Sequence, residues 1–178
     1  SKILADEDDL GRLAGRVLEH LVKATKTDRG LLAVERGGAL CIEAAWSLDE
    51  DEDHSRGGTR ELSGDIDAPL LPLKRAYWTG EVLLVDDVVD NVRFSNDTYL
   101  QRHRPRSILC LPLRAYGRRF GLLYLESRET YAHLSPGMLD LLGIVATQLA
   151  VALHTARPDS GGRLSQRIQP DDATRAEG

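Results

Sequence analysis

The side chains of this sequence best suited to metal binding or nucleophilic chemistry are five histidines, His20, His54, His103, His133 and His154, and two cysteines, Cys41 and Cys110. No two histidines stand three or four residues apart, and no cysteine lies near enough to one to complete a metal set. The acidic run Asp49 to Asp53 would suit a hard cation only with a turn geometry that it does not advertise, so it reads as a solvated loop. No glycine-rich phosphate loop or glycine triad stands between a strand and a helix, which leaves nucleotide hydrolysis without support. Both cysteines fall in apolar, strand-like runs and read as reduced core thiols, in keeping with a cytosolic address.

The elements that position these groups are set by length and patterning. A chain of 178 residues holds one domain of about 150 residues plus some tail. Its formal charge of -5 does not favour nucleic-acid contact. No window reaches 18 uninterrupted apolar residues. The nearest case, Met138 to Leu153, contains Asp140 and Gln148 and is predicted to be a core or interface helix. The start, Ser1-Lys2-Ile3, turns acidic at once and does not look like an export signal. The absence of an initiator methionine suggests a piece of a longer chain. The expected division is a tail over 1–9, one domain over 10–157, and a disordered tail or linker over 158–178, where Ile168 is the last large aliphatic residue.

Leu10, Leu13, Ala14, Val17, Leu18 and Leu21 recur at helical spacing and predict an amphipathic helix of about 16 residues. Leu31 to Val34 and Leu40 to Trp46, separated by Gly37-Gly38, predict a hairpin. Thr59 to Leu62 and Glu81 to Val85 read as short strands. Pro69 to Thr79 reads as a helix running into Gly80, and Thr98 to Arg104 as a short helix that must stop before Pro105. Ser107 to Leu113 has Leu109, Leu111 and Leu113 on one face and Ile108 and Cys110 on the other, so both sides are apolar and the strand should be central. Phe120 to Glu126 repeats the pattern, with Phe120, Leu122 and Tyr124 expected opposite Gly121, Leu123 and Leu125. Ser135-Pro136 is a helix start signal, and the helix should run to about Arg157 with more apolar surface than one contact can cover.

Several phrases in this order resemble the GAF domain family, the ligand-sensing modules of bacterial transcription regulators, histidine kinases and phosphodiesterases. They are Asp28-Arg29-Gly30-Leu31-Leu32, Trp78-Thr79-Gly80-Glu81 with Val85-Asp86-Asp87, Pro105 to Leu113, and Gly121 to Glu126. The resemblance covers roughly Leu10 to Thr155. It implies an α+β fold: a six-stranded antiparallel sheet, first and last helices packed on one face, and loops and short helices over a cavity on the other. It also implies a homodimer through the terminal helices and a covalently linked output domain; the residues themselves, with no close catalytic constellation, no long apolar window and a net negative charge, predict no catalysis, membrane insertion or nucleic-acid contact. Burying about 600 Å² of apolar surface at such a dimer would contribute on the order of 15 kcal/mol before association costs.

Within that family, His103 lacks the neighbouring cysteine of bilin-binding members. Asn91, Arg93, Phe94 and Asp97 echo the cyclic-nucleotide pattern with the wrong spacing and no lysine, and two strand cysteines do not make the cluster of the methionine-sulfoxide-reducing branch. No cofactor and no metal are expected. A generic apolar pocket with a few polar groups is the remaining site, and its candidate lining residues are Trp46, Arg93, Phe94, Tyr99, Arg106, Cys110 and Tyr124, with Arg93 and Arg106 placed to meet an anion. The alternative is a dimerisation or protein-interaction module without a physiological ligand, in which Trp46 and Tyr124 are core aromatics and Arg106 pairs with Asp86 or Asp87.

Overall fold

The computed structural model describes residues 7–49, 60, 61, 67–129 and 134–156. The expected tail over 158–178 and the loop over 50–56 lie outside the described residues. The first helix, α1 (Glu7–Thr25), starts a little earlier than its apolar stripe and stops where Lys26 turns left-handed. It leads into β1 (Arg29–Arg36) and β2 (Ala39–Ser47), and the glycines Gly37 and Gly38 both take positive φ in the tight turn between them. After β3 (Arg60–Glu61) come α2 (Leu70–Thr79), β4 (Leu83–Val85), a 3-10 turn at Val92–Phe94 and α3 (Thr98–His103). The chain ends in β5 (Ser107–Ala115), β6 (Arg118–Ser127) and α4 (Pro136–Ala156).

The six strands form one sheet in the order β3-β2-β1-β6-β5-β4, and every adjacent pair runs antiparallel. β5 and β6, both expected to be covered on two sides, are joined by a turn at Tyr116-Gly117, both at positive φ, and each is flanked by a second strand. Both faces of the sheet are therefore buried. On one, Leu32, Val34, Leu109, Leu111, Leu113, Leu123 and Leu125 pack under α1 and α4. On the other, Leu31, Ala33, Ile108, Cys110, Leu122 and Tyr124 pack under α2, α3 and the segment around Phe94. α4 is long and apolar enough to cross a membrane by length and composition, and it lies along the sheet with Leu142, Ala146, Leu149, Ala150 and Leu153 buried. Ser135 caps it, its hydroxyl accepting from the Met138 amide at 3.2 Å.

Two bulges change which way side chains face. Between β1 and β2, Leu32 pairs with Ala44 while Ala33 pairs with Ile42, so Glu43 is the extra residue. Leu40 and Ile42 belong to the core on the α2 and α3 side, but Ala44 and Trp46 are turned to the α1 and α4 side. Between β5 and β6, Leu113 pairs with Gly121 and Arg114 with Arg119, leaving Phe120 extra. Phe120 therefore joins Leu123 and Leu125 under α4, and strict alternation with Leu122 and Tyr124 fails there.

Candidate functional site

The site is built on the start of β1 and the end of β6. The turn out of α1 is fixed by buried threonines: Thr25 Oγ1 donates to the Val22 carbonyl at 3.1 Å and lies 2.9 Å from Thr27 Oγ1. The Asp28 amide then donates to the Glu126 carbonyl at 2.8 Å, which fixes the register of the two strands. Gly30 sits directly beneath α1. A Cβ there would lie 2.7 Å from Val22 Cγ2 and 2.9 Å from Leu18 Cδ1. With Gly30 facing α1, the alternation of the strand sends Arg29 to the opposite face. Glu126 is its direct cross-strand partner.

α3 closes over this pair. Asp97 caps it, with Oδ1 accepting from the Leu100 amide at 3.0 Å, while Oδ2 accepts from the Leu71 amide at 2.9 Å. One buried carboxylate thus ties the starts of α2 and α3 together. Arg104, left-handed, ends the helix before Pro105. The first turn delivers Tyr99, whose hydroxyl bridges the two charges: it accepts from Arg29 Nη1 and donates to Glu126, 2.8 Å from each carboxylate oxygen. Tyr124, on the same strand as Glu126, donates to Oε2 at 2.6 Å. Glu126 is 3% exposed and Tyr124 fully buried.

Asp67 forms the outer rim. Its carbonyl accepts from Arg29 Nη2 at 2.7 Å, and its carboxylate pairs with Arg102 and meets His103 Nε2 at 2.9 Å. The His103 ring stacks on Tyr99 with centroids 4.2 Å apart, and the Arg29 guanidinium lies 5.0 Å from the centre of the same ring. Burial first, and then the charge of Glu126, pushes both phenols well above their ordinary range. Burial does the same to the Cys110 thiol. Phenols so held do not ionise near neutral pH. The cluster is suited to gripping a hydrogen-bonding group, and not to supplying a phenolate or thiolate nucleophile.

Of the seven sequence-predicted site residues, the structure brings four to this face. Tyr99 and Tyr124 meet at Glu126, Cys110 lies across from Tyr124 in the β5–β6 register, and Phe94 is buried in the same core. Trp46 does not join them: the Glu43 bulge turns it to the α1 side, where Lys23 Nζ lies 5.4 Å from its ring centre. Arg93 and Arg106 are exposed on the surface. Asn91 is a local cap, accepting from the Arg93 amide at 3.0 Å. Arg29, Asp67 and Glu126 were missed. The available signal was a charged residue bordering the apolar run of each of the two central strands, Arg29 before Leu31 to Val34 and Glu126 after Phe120 to Leu125. Among the described residues no group of three or more His, Cys, Asp or Glu side chains is placed to hold a metal ion. Cys41 and Cys110 are buried, not disulfide-bonded, and separated by the two central strands.

Comparison with known proteins gives the family. One curated relative, hybrid signal transduction histidine kinase G of Dictyostelium discoideum, is 32% identical over 75 residues, which is 42% of this chain and 2% of that protein. Among solved structures, the GAF domain region of a Geobacter sulfurreducens PCA protein superposes with a TM-score of 0.62 at 20% identity, over 83% of this chain and 94% of that one. The type II free methionine-R-sulfoxide reductase of Thermoplasma acidophilum gives 0.59 at 21%, over 84% and 96%. The PixJ GAF domain of Thermosynechococcus elongatus, in its blue-light absorbing form, gives 0.58 at 15%, over 86% and 90%. These likenesses share the fold. The GAF domain family model itself matches residues 9–153, and the chain belongs to that family.

Proposed function

We propose that this GAF domain is a non-catalytic sensory or regulatory module of a longer cytoplasmic signal-transduction or transcription-regulatory protein. It binds a small molecule on the sheet face under α2 and α3 and passes occupancy through its terminal helices to a linked output domain. The observation that carries the reading is the Arg29–Tyr99–Glu126–Tyr124 cluster, a hydrogen-bonded polar knot in the largely apolar core on the face away from α1 and α4. The similarity to a stretch of a histidine kinase supports a linked output domain. The absence of catalysis is supported by the separation of the two thiols and the upward shift at Cys110. Calorimetric titration against a panel of nucleotides and metabolites tests it: at least one compound should bind saturably and raise the melting temperature, and a uniformly silent panel overturns the ligand-binding reading.

A second reading has its own support. Leu141 and Ile144 on α4 and Leu13 on α1 are 54%, 62% and 48% exposed, a large apolar surface for helices at the domain ends. A homodimer formed through these helices would cover it. If dimerisation persists while the panel stays silent, the module is structural.

A further inference from the structure

We propose that the gap between Arg29 and Glu126 is the recognition point of the ligand site and that it takes a neutral hydroxyaromatic molecule, Tyr99 being its resident occupant. The proposal rests on the ligand-binding reading above and narrows it to a chemical class.

The two ends of the gap are fixed. Arg29 and Glu126 are directly paired positions on the two central strands, and the Asp28 amide bond to Glu126 sets their register. The filler is not part of the sheet, since Tyr99 belongs to a six-residue helix. Its hydroxyl accepts from the cation on one side and donates to the anion on the other. Any group that takes its place must do both. A carboxylate or phosphate would face the buried Glu126, where like charges repel strongly, and an ammonium would face the part-buried Arg29. A hydroxyl meets both demands. The surroundings select a ring to carry it, because the Arg29 guanidinium, which belongs to the sheet and not to α3, lies 5.0 Å from the centre of the ring now present.

Displacing Tyr99 withdraws one of the two phenol donors to Glu126, and the incoming hydroxyl must replace it. Tyr124 keeps its bond to Glu126, and Arg29 stands opposite on the adjoining strand. Occupancy is also readable elsewhere. Moving Tyr99 moves the first turn of α3, which Asp97 couples to the start of α2.

The test uses p-cresol, toluene and benzoate as probes of one size, titrated by calorimetry into the wild type and Tyr99→Ala, with amide NMR shifts recorded on the wild type. Tyr99→Ala should bind p-cresol about tenfold or more tighter than toluene, with benzoate no better than toluene, and adding Arg29→Met should narrow the preference, since only the bond to Glu126 then remains. The wild type should bind p-cresol more weakly, with the largest shifts at residues 98–103 and 126. Equal binding of toluene marks a merely apolar hole, preference for benzoate marks an anion site, and no binding by the wild type marks Tyr99 as a permanent structural residue; each overturns the proposal. The wild-type arm decides even if Tyr99→Ala does not fold. A panel compound whose binding is indifferent to Tyr99→Ala and Arg29→Met overturns this proposal while leaving the sensory reading intact.

Discussion

At Glu126 the fold places a carboxylate where water does not reach, and three hydrogen-bond contacts from two phenols take the place of solvent. Removing one donor should be costly out of proportion to the atom lost. Tyr124→Phe is expected to lower stability by about 1–3 kcal/mol, measured by urea unfolding, and an unchanged midpoint would show that the bond contributes nothing net. The same residues set an alkaline limit. Tyr99 and Tyr124 have folded-state pKa values raised by burial and by Glu126, so their contribution is complete below their unfolded value of about 10 and is lost as pH climbs from there toward the folded values. Cys110, raised by burial, acts in the same direction from about pH 9. The melting temperature should therefore fall above about pH 9, and Tyr124→Phe should make that fall shallower. An identical slope in the variant would contradict the assignment.

Among the elements, the β1–β6 pair supports the site, and Gly121 is a position on it with no room for a side chain. A Cβ there would lie 2.0 Å from the Ala33 carbonyl oxygen and 3.0 Å from Val34 Cα, both backbone atoms that a side-chain rotation cannot move. Gly121→Ala should part the central strands and cost about 3 kcal/mol, visible as a collapse in melting temperature. Ser135→Ala removes only the cap of α4 and should cost about 1 kcal/mol by the same measurement. Much at this scale was legible in the residues: the Gly37-Gly38 turn, the stop at Gly80, the Ser135-Pro136 start, and the two-sided apolar runs of β5 and β6. The bulges at Glu43 and Phe120 were not, because each depends on the partner strand's register and not on local composition. Trp46 was misplaced for that reason. Arg29 and Glu126 escaped notice as a pair because only the closure of β1 on β6 joins residues so far apart in the chain.

At the scale of the molecule, a sheet covered on both sides separates two tasks, with the terminal helices on one face and the Arg29–Glu126 cluster on the other. Gly30 links them, since its neighbour Arg29 faces the cluster while Gly30 itself is pressed against Leu18 and Val22 of α1. The proposed helix-mediated dimer predicts that Leu141→Glu with Ile144→Glu yields a monomer in sedimentation with unchanged circular dichroism; a wild type that is already monomeric would remove this interface. The most direct test of the whole account is amide shift mapping with whichever panel compound stabilises the domain. The account predicts the largest shifts at residues 94–104 and 124–126, on the face under α2 and α3. Shifts confined to α1 and α4 would contradict it.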